Sequence, residues 1–173
     1  MSKPQPRRKR EHKTDYRRRL RLLKGRKPRL VVRLFSRSIV GQLTTYIASG
    51  DKIEISFNST SLKKLGWDYN CSNTPAAYLT GYALAKKAGK IKEAILDIGF
   101  HSPLSGTKQF AFAKGAIDGG LILPVGEEMF PTEDRLKGVH IEKYMESNKD
   151  KKQFSKTKKG VLATFEKVKK SIK

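Results

Sequence analysis

Acidic residues are scarce in this sequence: 16 aspartates and glutamates stand against 38 lysines and arginines, leaving a formal charge of +22. Cysteine is nearly absent. The lone Cys71 can form no internal disulfide and no cysteine-rich zinc site, so the fold has to hold by packing, and a reducing cytoplasm is the expected location. Long apolar runs are missing as well. None approaches the ~20 residues of a bilayer span, and the N-terminal stretch brings charge without the apolar segment of a signal peptide, so no membrane partner is expected. His12, His101 and His140 share no metal-ligand spacing, and no serine lies in a nucleophile-elbow context. Gly99 and Gly106 are too far apart for a P-loop, and Gly106-Thr107-Lys108 reverses the order that motif requires. These absences predict no catalysis, no metal or other cofactor and no small-molecule substrate. Signatures of helix-turn-helix, zinc-finger, KH and RRM modules are also lacking, which favours recognition of structured RNA by shape and phosphate over base reading of a DNA duplex.

What the chain does have is cationic charge, and it is gathered at the two ends. Residues 1–33 hold 15 basic and 2 acidic side chains, a net +13; residues 34–148 hold 13 and 12, a net +1; residues 149–173 hold 10 and 2, a net +8. The near-neutral middle has the size of one domain. Two cationic arms on a neutral core suit a polyanion, because each neutralised phosphate releases counterions while the core is spared self-repulsion. Arginine dominates the N-terminal arm, and its planar fork holds phosphate bidentately and stacks on bases.

Periodicity divides the chain further. Residues 1–13 are polar and contain Pro4, Pro6 and the block Arg7 to Arg10, which reads as a disordered tail in isolation. Thr14 or Asp15 can cap a helix with Tyr16, Leu20 and Leu23 on one stripe and Gly25 at its end. After Pro28, alternation predicts strands over 29–37, 39–47 and 53–59, joined by short turns into an antiparallel meander. Leu30, Val32, Leu34, Ile39, Leu43, Ile47, Ile53, Ile55 and Phe57 form its apolar face. Arg29, Arg33, Arg37, Thr44, Tyr46, Ser56 and Asn58 form the other. Thr74-Pro75 opens a thin, alanine-rich helix stopping at Gly89. A strand over 94–100, a helix over 107–119, a short strand at 121–123 and a helix over 136–145 follow. A lysine-rich linker precedes a terminal helix with Val161, Phe165, Val168 and Ile172 on one clean stripe, a surface that needs a partner.

Two places could carry chemistry. The loop from His101 to Lys108 hands a strand over to a helix, so backbone N–H groups near Gly106 and Thr107, helped by Lys108, can either cradle a phosphate or simply be capped by Ser105 or Thr107. Asp97 and Asp118, on a strand and a following helix, give an alternative reading as a metal-dependent RNA-processing nuclease; against it, no third acid stands at a telling spacing, and Asp97 is suited to pairing with a basic neighbour.

Several stretches together resemble one family: Lys13-Thr14-Asp15-Tyr16 ahead of an Arg/Leu helix, Lys27-Pro28-Arg29 opening a strand, Asn73-Thr74-Pro75-Ala76-Ala77-Tyr78-Leu79-Thr80-Gly81, Gly115-Ala116-Ile117-Asp118-Gly119-Gly120-Leu121, and Asp134 to Tyr144. The family is that of the large-subunit ribosomal protein numbered eighteen in the universal scheme, in its archaeal form, related to eukaryotic large-subunit protein five. The resemblance spans roughly residues 7–147. It implies a mixed α/β core, 5S rRNA and large-subunit rRNA as partners in the central protuberance, and neighbouring large-subunit proteins around it. It implicates Arg7, Arg8, Lys9, Arg10, Lys13, Tyr16, Arg17, Arg18, Arg19, Arg21, Lys27, Arg29 and Arg33, with Ser102, Ser105, Gly106, Thr107 and Lys108, as RNA contacts. Charge and strand pattern add Arg37, and the linker adds Lys156, Lys158 and Lys159. The expected architecture is α/β (α+β): a basic RNA-binding arm over 1–28, a single mixed-sheet core domain over 29–147 with a meander and packed helices, and a basic linker with an amphipathic helix over 148–173.

Overall fold

Alternating apolar residues from Arg29 onward fold into three antiparallel strands, β1 (Arg29–Leu34), β2 (Ile39–Ile47) and β3 (Gly50–Asn58), and a short β4 (Ile95–Asp97) joins parallel to β1. The sheet order is β3-β2-β1-β4, mixed as expected. The structure, a computed structural model, describes residues 4–147 and 160–172. Leu30, Val32, Ile39, Leu43 and Phe57 point to one face and are buried there under α3 (Thr74–Lys87) and α4 (Lys108–Asp118). These two helices cross backbone to backbone. A Cβ on Gly81 would collide with the carbonyl of Phe112, and one on Gly115 with the carbonyl of Tyr78, so only glycine allows this approach at either position.

The remaining elements close the ends of the core. A 3-10 helix (Ser59–Leu65), not foreseen from the sequence pattern, and the turn after it bury Leu62, Trp67, Tyr69 and Cys71. The single helix expected over 136–145 is two pieces, α5 (Glu133–Lys137) and α6 (Val139–Ser147). Gly138 separates them with φ +91°, a left-handed conformation that ends α5 and sends its N–H back to the Asp134 carbonyl. Last comes α7 (Val161–Ser171), whose Val161, Phe165 and Val168, with Ile172 at its end, are all buried against the core. The Phe165 ring packs 5.5 Å from that of Tyr78 in α3.

Several boundaries differ from the sequence reading for identifiable reasons. Asn73, not Thr74, caps α3, accepting the Ala76 N–H at 2.9 Å, and so Pro75 is the second helical residue. β1 stops at Leu34 because Phe35 N–H turns back to the Ser38 carbonyl, which puts Arg37 on an exposed turn. A bulge between Leu43 and Thr44 changes the register, pairing Leu43 with Ile55 but Thr44 with Ile53. Ile53 is thereby turned to the outer face, where it is 52% exposed instead of buried beside Ile55. Residues 121–123 form only a single bridge, Glu93 to Ile122.

Candidate nucleic-acid interface

The outer face of the sheet is covered by the N-terminal arm. Arg7–Arg10 forms one helical turn, α1, rather than a shapeless tail, and α2 (Tyr16–Lys24) follows it, capped by Asp15 through the N–H groups of Arg17 and Arg18 at 2.9 and 3.1 Å. The arm does not dock by the apolar stripe that periodicity suggests. Leu20 is 59% exposed and no residue of α2 is buried. Charge holds the helix instead: Arg19 grips Asp51 of β3 with both terminal nitrogens at 2.7 and 2.8 Å, and Arg18 donates to the carbonyls of Gly99 and His101 at 2.8 and 3.3 Å.

Asp51 is one node of a network running beneath the arm. Arg29, expected on an open RNA-facing surface, is buried, with one terminal nitrogen on Asp51 at 2.6 Å and the other on Asp97 at 2.9 Å. Its Nε has no acceptor among the described residues. Arg33 reaches Asp97 at 3.5 Å and the Val32 and Asp97 carbonyls at 2.8 and 3.1 Å, while the Gly99 N–H donates to the Asp97 carboxylate at 2.9 Å. Hydrogen bonds from the Arg19 guanidinium, reinforced by Arg29, hold the Asp51 carboxyl below its ordinary range, against the opposing effect of burial. Alternation alone put Arg29 and Arg33 on the polar face, and they are there. What it could not show is that two acids from elsewhere in the chain meet them.

The arginines and lysines therefore sort into two groups. Lys9, Arg10, Arg17, Arg21, Lys24, Arg26 and Arg37 are exposed and have no acidic partner among the described residues. Arg7 and Lys13 share Glu11 at 2.7 and 2.8 Å, Lys27 pairs with Glu93 at 2.7 Å, and Arg8 donates to the Thr14 hydroxyl at 2.9 Å. All of these stay on the surface, where such pairs exchange readily for other anions. Lys156, Lys158 and Lys159 lie outside the described residues.

At the loop before α4, Ser102, Ser105 and Lys108 are exposed. The Gly106 N–H is taken by the Met129 carbonyl at 3.0 Å, and the Thr107 hydroxyl turns back to the Leu104 carbonyl at 3.0 Å instead of capping the helix. Asp97 and Asp118 do not share a site of paired carboxylates. Asp97 is engaged by Arg29 and Arg33, whereas Asp118 accepts the Tyr78 hydroxyl at 2.7 Å and pairs with Lys114 at 3.1 Å. Burial first, and Asp118 second, push the Tyr78 phenol far above its ordinary value, so that it stays a donor.

A neutral α+β core under an arginine-rich helical arm has the construction of a structural protein for a polyanion, and the comparisons with known proteins say which kind. A family model described as ribosomal large subunit proteins 60S L5 and 50S L18 matches residues 2–93. Large ribosomal subunit protein uL18 of Methanococcus maripaludis is 46% identical over 157 residues, covering 87% of this chain and 81% of that one. The uL18 proteins of Methanoregula boonei (49% over 146 residues, 83% and 84% covered) and Methanothermobacter thermautotrophicus (46% over 155 residues, 87% and 81% covered) are similarly close. The chain belongs to this family of large-subunit ribosomal proteins. It is a ribosomal protein of the large subunit, not an enzyme.

Proposed function

We propose that the protein binds 5S rRNA and fixes it to the large-subunit rRNA in the central protuberance, in the cytoplasm and beside neighbouring large-subunit proteins. The observation that carries this reading is the group of exposed cations without acidic partners on the arm and the Arg37 turn, next to a sheet face whose own arginines are already paired with Asp51 and Asp97. Such groups neutralise phosphates at little cost, since no internal ion pair has to be broken first. Arg7 to Arg10, Lys13, Arg17, Arg21, Lys27 and Arg37 make the backbone contacts, with Ser102, Ser105 and Lys108 at a second point and the lysines of the 149–159 linker at a third. Residues 1–28 act as the arm, 29–147 as the platform and 148–173 as a basic linker with its amphipathic helix. Arg18, Arg19, Arg29 and Arg33 serve mainly to hold the arm on the platform.

The test is equilibrium binding of the full chain to 5S rRNA over a salt series, with chemical footprinting of the RNA. A log–log slope of several phosphates, each contributing about 0.7 to 0.9, supports the reading. No protection of 5S rRNA, or a slope near zero, overturns it.

A further inference from the structure

Between the arm and the outer face of the sheet lies a cavity of about 540 Å³ that the backbone-contact picture leaves unused. Its lining is neither a packed core nor a plain charged surface. Six cationic side chains face it against three acids, and the acids are already engaged: Asp51 and Asp97 by Arg19, Arg29 and Arg33, Asp15 by the N–H groups of its own helix. The surplus favours an anion. Tyr16 from α2 and Phe100 from the loop after β4 line the same space, 37% and 57% exposed, and bring aromatic faces from two separate elements. On the floor, the side chain of half-buried Gln42 of β2 makes no hydrogen bond among the described residues, so its amide offers a free donor and a free acceptor side by side.

We infer that this cavity receives one unstacked nucleotide of an RNA strand, its base against Tyr16 or Phe100 and its edge on the Gln42 amide, with the phosphate met by Arg8 and Arg18. Each part of the lining answers a part of that ligand. Aromatic side chains accept a splayed-out base through its π-face, and an amide matches the paired donor and acceptor on a base edge, best on adenine. The volume falls within the range of sites for small organic ligands. A membrane headgroup or an acidic peptide would use the cations but would leave the amide and the rings unmatched. The inference rests on the RNA-binding reading and adds to it a point where sequence, not only phosphate, is read.

The full-length protein, Gln42→Leu and Phe100→Ala are compared in binding to 5S rRNA over a salt series and to an unstructured oligoadenylate. Ultraviolet cross-links are mapped to peptides in both cases. Both substituted positions are at least partly exposed, and thermal melts verify that the fold is kept. Loss of one stacked or edge-bonded base is expected to weaken binding at least about fivefold while leaving the salt slope unchanged, because no phosphate contact is removed. Cross-links are expected at Tyr16 or Phe100. Variants that bind 5S rRNA within twofold of the parent, with no cross-link at either aromatic, overturn the cavity assignment and leave the 5S reading intact. Failure of the parent to bind 5S rRNA, with oligoadenylate still cross-linked at Tyr16 or Phe100 and weakened by both variants, overturns the 5S reading and sustains the cavity.

Discussion

The carboxylate of Asp51 takes both terminal nitrogens of Arg19, at 2.7 and 2.8 Å, and so ties α2 to the β2–β3 hairpin across 32 residues of chain. The same carboxylate accepts from buried Arg29, whose other branch ends on Asp97. One acid on the hairpin therefore anchors the arm from above and helps neutralise a buried cation below.

Removing either acid should separate these roles. Asp51→Ala is expected to cost about 1–2 kcal/mol, since this carboxylate is about a quarter exposed, and to make the arm more susceptible to limited proteolysis. Asp97→Ala should cost more, about 3–5 kcal/mol, because Asp97 is itself only 9% exposed and its loss takes an acceptor from buried Arg29, from Arg33 and from the Gly99 N–H at once. Urea unfolding of the two variants checks the order. Equal losses would show that the buried and the surface branches are not distinct.

Protonation offers a second route to the same node. Asp51's carboxyl lies below its ordinary value of 3.8, mainly through Arg19, so the unfolded chain takes up the proton more readily than the folded one. Its contribution is fully present above about pH 4 and drains away as pH falls through the lowered folded value. Stability lost on acidification should thus be smaller in Asp51→Asn than in the parent below pH 4, with no difference in slope between pH 6 and 8.

How much of this was legible beforehand depends on the range of the interaction. The meander, α3, α4 and the α7 stripe follow from local periodicity, and each is observed with only small changes at its ends. Ile53 departs from the alternation because the extra residue Glu54 puts it on the face opposite to Ile55 and Phe57, and no local pattern announces a bulge. The α2 stripe of Tyr16, Leu20 and Leu23 differs for another reason: a helix this short is positioned by whatever holds it best, here Arg18 and Arg19. Gln42 carries no signal in the sequence, since it sits amid apolar strand residues with no motif around it. Only the cavity beside it gives it a role.

The α3–α4 crossing is the least tolerant point of the core. Gly81→Ala or Gly115→Ala must push two backbones apart, since the atom met is a carbonyl and not the tip of a flexible side chain. A loss of about 3 kcal/mol is expected for each, read as a lowered denaturation midpoint with an unchanged m-value.

Exposed and buried arginines should behave oppositely toward RNA. Arg17→Ala and Arg21→Ala are expected to leave stability within about 0.5 kcal/mol of the parent and to lower the salt slope by about 0.7 to 0.9 each. Arg29→Met should lower stability and leave the slope untouched, because its guanidinium already faces Asp51 and Asp97. Salt titrations and thermal melts on the three variants decide this. A reduced slope in Arg29→Met alone would mean that the network opens on RNA and that the buried cation is a contact after all.

The C-terminal helix gives the last test, because its attachment combines packing with one polar link. Phe165 is buried against Tyr78, and Lys169 donates to the Tyr78 hydroxyl at 2.7 Å, which in turn donates to Asp118 at 2.7 Å. Eleven residues are too few for a stable helix in water, so α7 is helical here because the core gives its stripe a surface. Phe165→Asp would place a carboxylate in that buried contact, beside the Tyr78 ring. We expect α7 to detach and lose its helicity while the sheet and α3–α4 stay folded, at a cost of about 3–4 kcal/mol in the main transition. Phe165→Leu, which keeps the stripe, should retain the helix. Since α7 lies on the helical side of the sheet, away from the arm, Phe165→Asp should bind isolated 5S rRNA as the parent does yet enter large subunits poorly. An equal loss in both assays would place α7 within the primary RNA site.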